Sequence, residues 1–82
     1  MAAGADATRL QFAIKGDLIT LAQLLKAVGA IDSGGEARDY LSDNPVMVNG
    51  APENRRGRKL YPGDIVQLTG DKVIKLVAKS DN

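Results

Sequence analysis

No cysteine and no histidine occur among the 82 residues. Without cysteine, neither a disulfide nor thiolate metal ligation can reinforce the fold, which fits a reducing compartment without proving one. Without histidine, the commonest general base and the commonest metal ligand are both missing. Tryptophan is absent as well, and the aromatics are Phe12, Tyr40 and Tyr61 alone. Phe12 and Tyr40 fall on apolar stripes, so a platform for stacking unpaired bases is not expected. No apolar run approaches the roughly 20 residues that span a bilayer. Residues 1–8 carry Asp6 and no early basic cluster, unlike a signal peptide. The expectation is therefore a cytoplasmic protein with no membrane partner. The carboxylates Asp32, Glu36, Asp39, Asp43, Glu53 and Asp64 are scattered, and none pairs at a spacing suited to acid–base work or a metal. The sequence points to no catalytic residue, no metal, no cofactor and no small-molecule substrate, and so away from an enzyme.

What is present is a focused charge. The net charge is only +1, from 11 basic and 10 acidic residues. Yet Arg55, Arg56, Arg58 and Lys59 place four of those cations in five positions with no acid among them. The remainder of the chain is mildly acidic. A concentrated patch on such a background is a recognition feature rather than general stickiness.

The hydropathy pattern gives one domain over residues 9–78, between tails at 1–8 and 79–82. A chain of this length buries only around 60% of its unfolded surface, so the core is modest. Leu10, Phe12 and Ile14 alternate with polar residues, as in a half-buried strand. Thr20 is an N-cap for a helix whose apolar face is Leu21, Leu24, Leu25 and Val28, and Gly29 ends it. Ser33 and Glu36 have capping-box spacing before a second helix with Ala37, Tyr40 and Leu41 inward. Asn44-Pro45 stops that helix. Val46–Val48 is a short strand closed by the turn pair Asn49-Gly50. Tyr61–Asp64 reads as a turn, Ile65–Leu68 as a strand, Gly70-Asp71 as a turn and Val73–Ala78 as the last strand. The predicted fold class is α+β, with two helices packed on a small antiparallel sheet.

Two features could hold a ligand. In Asn54–Leu60, arginine forks match phosphate oxygens, and Gly57 lets the backbone bend and come close. A solvated charged loop is the plain alternative. Four cations without local acids repel one another, which favours an anionic partner. The second feature is Ser33-Gly34-Gly35, whose exposed N–H groups at a helix start could take an anion, with Arg38 one turn on. A tight helix–helix turn is the alternative there. Lys26 is weaker, since a lone lysine on a polar helix face usually only solubilises.

Taken together, Ile19–Lys26, Ile31–Arg38, Val46–Gly50, Arg55–Leu60 and Pro62–Val66 resemble the S-four-type RNA-binding domain, also called the αL motif, of ribosomal small-subunit protein S-four. Within it the match is to the small stand-alone bacterial YbcJ-like branch, over roughly residues 18–68. The resemblance implies two helices on a small sheet and non-catalytic binding of structured RNA of the ribosomal or transfer class, hence a ribosome-associated role in translation. It implies an RNA-facing surface at Ser33, Gly34, Gly35, Arg38, Arg55, Arg56, Arg58 and Lys59, to which Lys26 is added. Many members carry a basic residue just after the serine, where this chain has Gly34. A β-grasp sulfur carrier or ubiquitin-like protein is the main rival; such carriers need a Gly-Gly carboxyl terminus, whereas this chain ends Lys79–Asn82. A domain that docks an acidic protein partner is the other.

Overall fold

The computed structural model describes residues 8–68 and 72–79. In chain order these form β1 (Thr8–Ile14), β2 (Ile19–Thr20), α1 (Leu21–Ala27), a 3-10 turn (Gly34–Glu36) and α2 (Ala37–Asp43). There follow β3 (Val46–Val48), β4 (Ala51–Glu53), β5 (Lys59–Leu60), β6 (Ile65–Leu68) and β7 (Lys72–Ala78). The class is α+β, as the pattern predicts. Residues 1–7 and 80–82 of the two expected tails, and the Gly70-Asp71 turn, lie outside the described residues. Thr8 belongs to β1 instead of the tail.

Five strands form one sheet in the order β1-β7-β6-β3-β4, and β2 pairs with β5 in a second, two-stranded sheet. The all-antiparallel expectation is corrected at one place. β1 runs parallel to β7, from Thr8 opposite Lys72 to Ile14 opposite Ala78. β3 pairs antiparallel with β4 across the Asn49-Gly50 turn and, on its other side, with β6, which pairs antiparallel with β7. β1 meets its partner from the far end of the chain, so no tight turn sets its direction.

Local chemistry explains the elements. Thr20 caps α1 as expected, and Gln23 completes a capping box: Gln23 N–H donates to Thr20 Oγ1 at 3.2 Å, and Thr20 N–H donates to Gln23 Oε1 at 2.9 Å. Leu21, Leu24 and Leu25 are buried along one face, and Gly29 ends the helix in the left-handed region at φ +82°. Asn49 (φ 52°) and Gly50 (φ 84°) both take positive φ between β3 and β4, the requirement of a tight hairpin. Asn49 also ties that hairpin to the next turn. Its Nδ2 donates to Asp64 Oδ1 at 3.0 Å, and its Oδ1 accepts from Ile65 N–H at 2.9 Å. Asp64 Oδ2 in turn accepts from Tyr61 N–H at 2.9 Å, so Asp64 is a turn residue.

The capping box predicted at Ser33 and Glu36 does not form. Ser33 makes no side-chain cap bond, and Glu36 Oε1 instead accepts from Asp32 N–H at 2.8 Å. The cause is the 3-10 geometry of Gly34–Glu36, which draws the carboxylate one residue further back. Both helices and the strands share one core of Ile14, Leu21, Leu24, Leu25, Ile31, Ala37, Leu41, Val46, Val48, Leu60, Val66, Leu68, Ile74 and Leu76, with Phe12 and Tyr40 packed against it.

Candidate nucleic-acid interface

β4 ends on Glu53, which sits opposite Val46 and is only 7% exposed. A carboxylate on the inward face of a strand is costly unless its oxygens are fully bonded. Here the basic loop supplies the bonds. Glu53 Oε2 accepts from Arg55 N–H at 3.0 Å and from Arg55 Nε at 2.9 Å. Glu53 Oε1 accepts from Arg55 Nη2 at 3.2 Å and from Arg58 Nη1 at 2.8 Å. The hydrogen bonds from Arg55, outweighing the opposing effect of burial, hold the Glu53 carboxyl down at about 2. The same pairing raises the already high Arg55 value.

The loop is therefore not a set of four mutually repelling cations. One carboxylate, two residues upstream of the basic run, neutralises part of it and orders two guanidinium groups. In the sequence Glu53 is one of several scattered acids. Its signal was available: it falls on the inward side of the strand after the Asn49-Gly50 turn, and its arginines follow at two and five positions. Segment 53–59 still carries four cations against one carboxylate, a net +3. Arg55 keeps 72% of its side chain exposed and Arg58 keeps 35%. Arg56 and Lys59 are exposed and make no ion pair among the described residues.

The backbone of the loop is equally fixed. Arg58 C=O accepts from Leu21 N–H and Arg56 C=O accepts from Ala22 N–H, both at 2.9 Å. Those are two of the donors that the start of a helix leaves without an intrahelical partner. Thr20 Oγ1 takes a third. The pairing of Thr20 with Lys59 and Ile19 with Leu60 continues the contact. So the loop is clamped at its base by α1 and by Glu53, while Arg55, Gly57, Arg58 and Lys59 line a shallow hollow on its outer side. Gly57 does not occupy the left-handed region, and a Cβ there would meet nothing within 4 Å. The fold of the chain alone does not require glycine at this position.

The Ser33-Gly34-Gly35 feature has a different character. All three residues are exposed, and the space above both glycines is open. The 3-10 turn packs against α1, the helix that also carries the basic loop. Its charges, however, are mixed. Arg38 is exposed on α2, and the acids near it in sequence, Asp32, Glu36 and Asp39, are exposed as well. Acids at the start of α2 already complement the helix dipole. Lys26 is exposed in the last turn of α1, where a cation complements the opposite end of a dipole. The structure thus brings Arg55, Arg56, Arg58 and Lys59 together in one ordered loop. Ser33, Gly34, Gly35, Arg38 and Lys26 lie on other elements, the entry and body of α2 and the last turn of α1, where the charges are mixed.

Among the described residues, no group of three or more acids could hold a metal, and no helix is long and apolar enough to cross a membrane. The sequence model of the S4 domain matches residues 12–77. This chain belongs to the S4 domain family. The rival β-grasp reading is set aside on that match, and the chain's Gly-Gly pair lies in the 3-10 turn of this S4 domain. The S4 domain is also 54% identical, over 54 residues, to a protein of Bacillus subtilis (strain 168) named probable ribosome maturation protein RlbA. The aligned part covers 66% of this chain and 76% of that protein.

Proposed function

We propose that this S4 domain binds structured RNA of the ribosomal or transfer class, without catalysing a reaction, in the cytoplasm. The observation that carries the reading is the loop of Arg55, Arg56, Arg58 and Lys59, held open around Glu53. Ordered guanidinium forks lose little freedom when they engage phosphate oxygens. Arg55 and Arg58 each use only part of their five-donor fork on Glu53, so donors remain for phosphates on the outer side. Gly57, with open space over it, lets a sugar–phosphate backbone approach. Ser33, Gly34, Gly35, Arg38 and Lys26 are placed at the margin of the contact, where backbone N–H groups and single cations supplement the loop.

The lack of an aromatic platform favours duplex or otherwise structured RNA, recognised by shape and phosphates rather than by stacked bases. The likeness to a protein named for ribosome maturation favours the ribosomal RNA class. The test is a fluorescence-anisotropy titration with three probes: a folded ribosomal RNA fragment, a transfer RNA and poly-glutamate. Both RNAs are expected to bind in preference to poly-glutamate at equal charge. Saturation by poly-glutamate at the same concentrations would assign the loop to an acidic protein partner instead.

A further inference from the structure

The two edges of the five-stranded sheet are built differently. β4, on one side, is three residues long and has Pro52 at its centre. A short edge with proline is poorly suited to pairing with another strand. β1, on the other side, is seven residues long, contains no proline and no lysine, and pairs on one side only among the described strands. Such an edge is a template for strand addition unless something covers it.

The orientation of its free groups follows from one bond. Ile14 C=O accepts from Lys79 N–H at 3.3 Å, across the β7 side. In a parallel pair each residue turns its N–H and C=O to the same side, and the next residue turns them away. Thr8, Leu10, Phe12 and Ile14 therefore address β7, while Arg9, Gln11 and Ala13 offer theirs to the open edge.

We propose that this edge pairs with β1 of a second copy of the chain, antiparallel and centred on Gln11. In that register Gln11 faces Gln11 and Arg9 faces Ala13 of the second copy, so the outward N–H and C=O groups meet as hydrogen-bonded pairs. Leu10 faces Phe12 on the inner side. The apolar pairing of the exposed Leu10 with Phe12 is what favours a second copy. The strand carries one cation and no acid, and this register keeps the two Arg9 side chains apart, whereas in-register parallel pairing would oppose them. Leu10 is 40% exposed although it shares its face with Ile14, which is 1% exposed. A hollow lined by Phe12, Ala13, Ile14, Leu18 and Ile19, with the polar Lys15 and Gln23 also on its wall, opens beside β1, and the Leu10 of the second copy would lie against its apolar part. The two-fold arrangement closes on itself, because each copy has one long edge that is open among the described strands. The product is a continuous sheet with two copies of the basic loop.

Sedimentation velocity of the full chain tests this. The expected result is a species of twice the 8.7 kDa chain mass at protein concentrations up to roughly 100 µM, well above a micromolar dissociation constant. Gln11→Pro removes an edge-facing donor and spares the bonds to β7, so it is expected to be monomeric with an unchanged circular-dichroism spectrum. Leu10→Glu is expected to be monomeric too, and it carries the test if the proline variant does not fold. A monomeric wild type at that concentration overturns the proposal and leaves the edge to a foreign strand or to nothing. A dimer that survives Leu10→Glu overturns it as well, since the interface would then lie elsewhere.

Discussion

The basic loop and the Ser33–Arg38 turn both looked like anion sites in the sequence, yet they are built on opposite plans. The loop surrounds one buried carboxylate with cations and fastens its backbone to α1. The turn carries one cation among acids close in sequence, Asp32, Glu36 and Asp39, with no ion pair among the described residues, and has no side-chain cap. Residue type alone does not separate them, because each has glycine, arginine and backbone donors. What separates them is whether a residue outside the motif fixes the donors in place. Glu53 does this for Arg55 and Arg58, and nothing equivalent acts on Arg38 among the described residues.

Charge reversal separates the two regions most strongly. Arg56→Glu is expected to weaken binding of a structured ribosomal RNA fragment more than about tenfold, the scale of one or two charge-assisted hydrogen bonds. Arg38→Glu is expected to cost less than Arg56→Glu. Lys75→Glu, on the sheet face opposite to Glu53, is the control. It should stay near the wild type at physiological salt, where the Debye length is about 8 Å. Anisotropy titration of the three variants gives the ranking, and equal losses in all three would leave only nonspecific attraction.

Glu53→Gln separates preorganisation from simple attraction. It adds one unit of positive charge, so attraction alone predicts tighter RNA binding. Preorganisation predicts weaker binding, because Arg55 and Arg58 lose their anchor. Melting followed by circular dichroism should fall by the equivalent of about 1–3 kcal/mol, the usual cost of disrupting a buried charged hydrogen-bond set.

The same carboxylate predicts an acid response of smaller size. Its folded value of about 2 lies below the ordinary 4.5. The stability it contributes is therefore complete above pH 4.5 and is lost as pH falls through that value toward 2. Urea midpoints should be flat through neutral pH and drop in that window, and Glu53→Gln should show a shallower drop. Gly57→Ala is the mildest test. It should leave the melting temperature within the range of an ordinary surface change, about ±0.5 kcal/mol, while RNA affinity falls a few-fold if a backbone comes close to that position.

Much of this was legible in the pattern. The helix face of Leu21, Leu24 and Leu25, the cap at Thr20, the Asn49-Gly50 hairpin and the Tyr61–Asp64 turn all follow from local chemistry that a short window contains. The parallel pairing of β1 with β7 does not, because it joins the two ends of the described chain. β2 and β5 are two residues each and carry no periodicity to detect. The 3-10 turn defeated the Ser33–Glu36 spacing, since the same residues at a tighter pitch place Glu36 against Asp32 N–H instead. In the loop the cations were plain and their organiser was not. A single glutamate acquires its role only when strand register turns it inward.

The salt dependence of RNA binding counts the phosphates that the loop meets. If Arg55, Arg56, Arg58 and Lys59 all meet phosphates, log affinity against log salt should fall with a slope of roughly −3, and Arg56→Ala with Lys59→Ala should reduce that slope by about 2. A wild-type slope near zero, or an unchanged slope in the double variant, would contradict the assignment of the loop as the RNA interface.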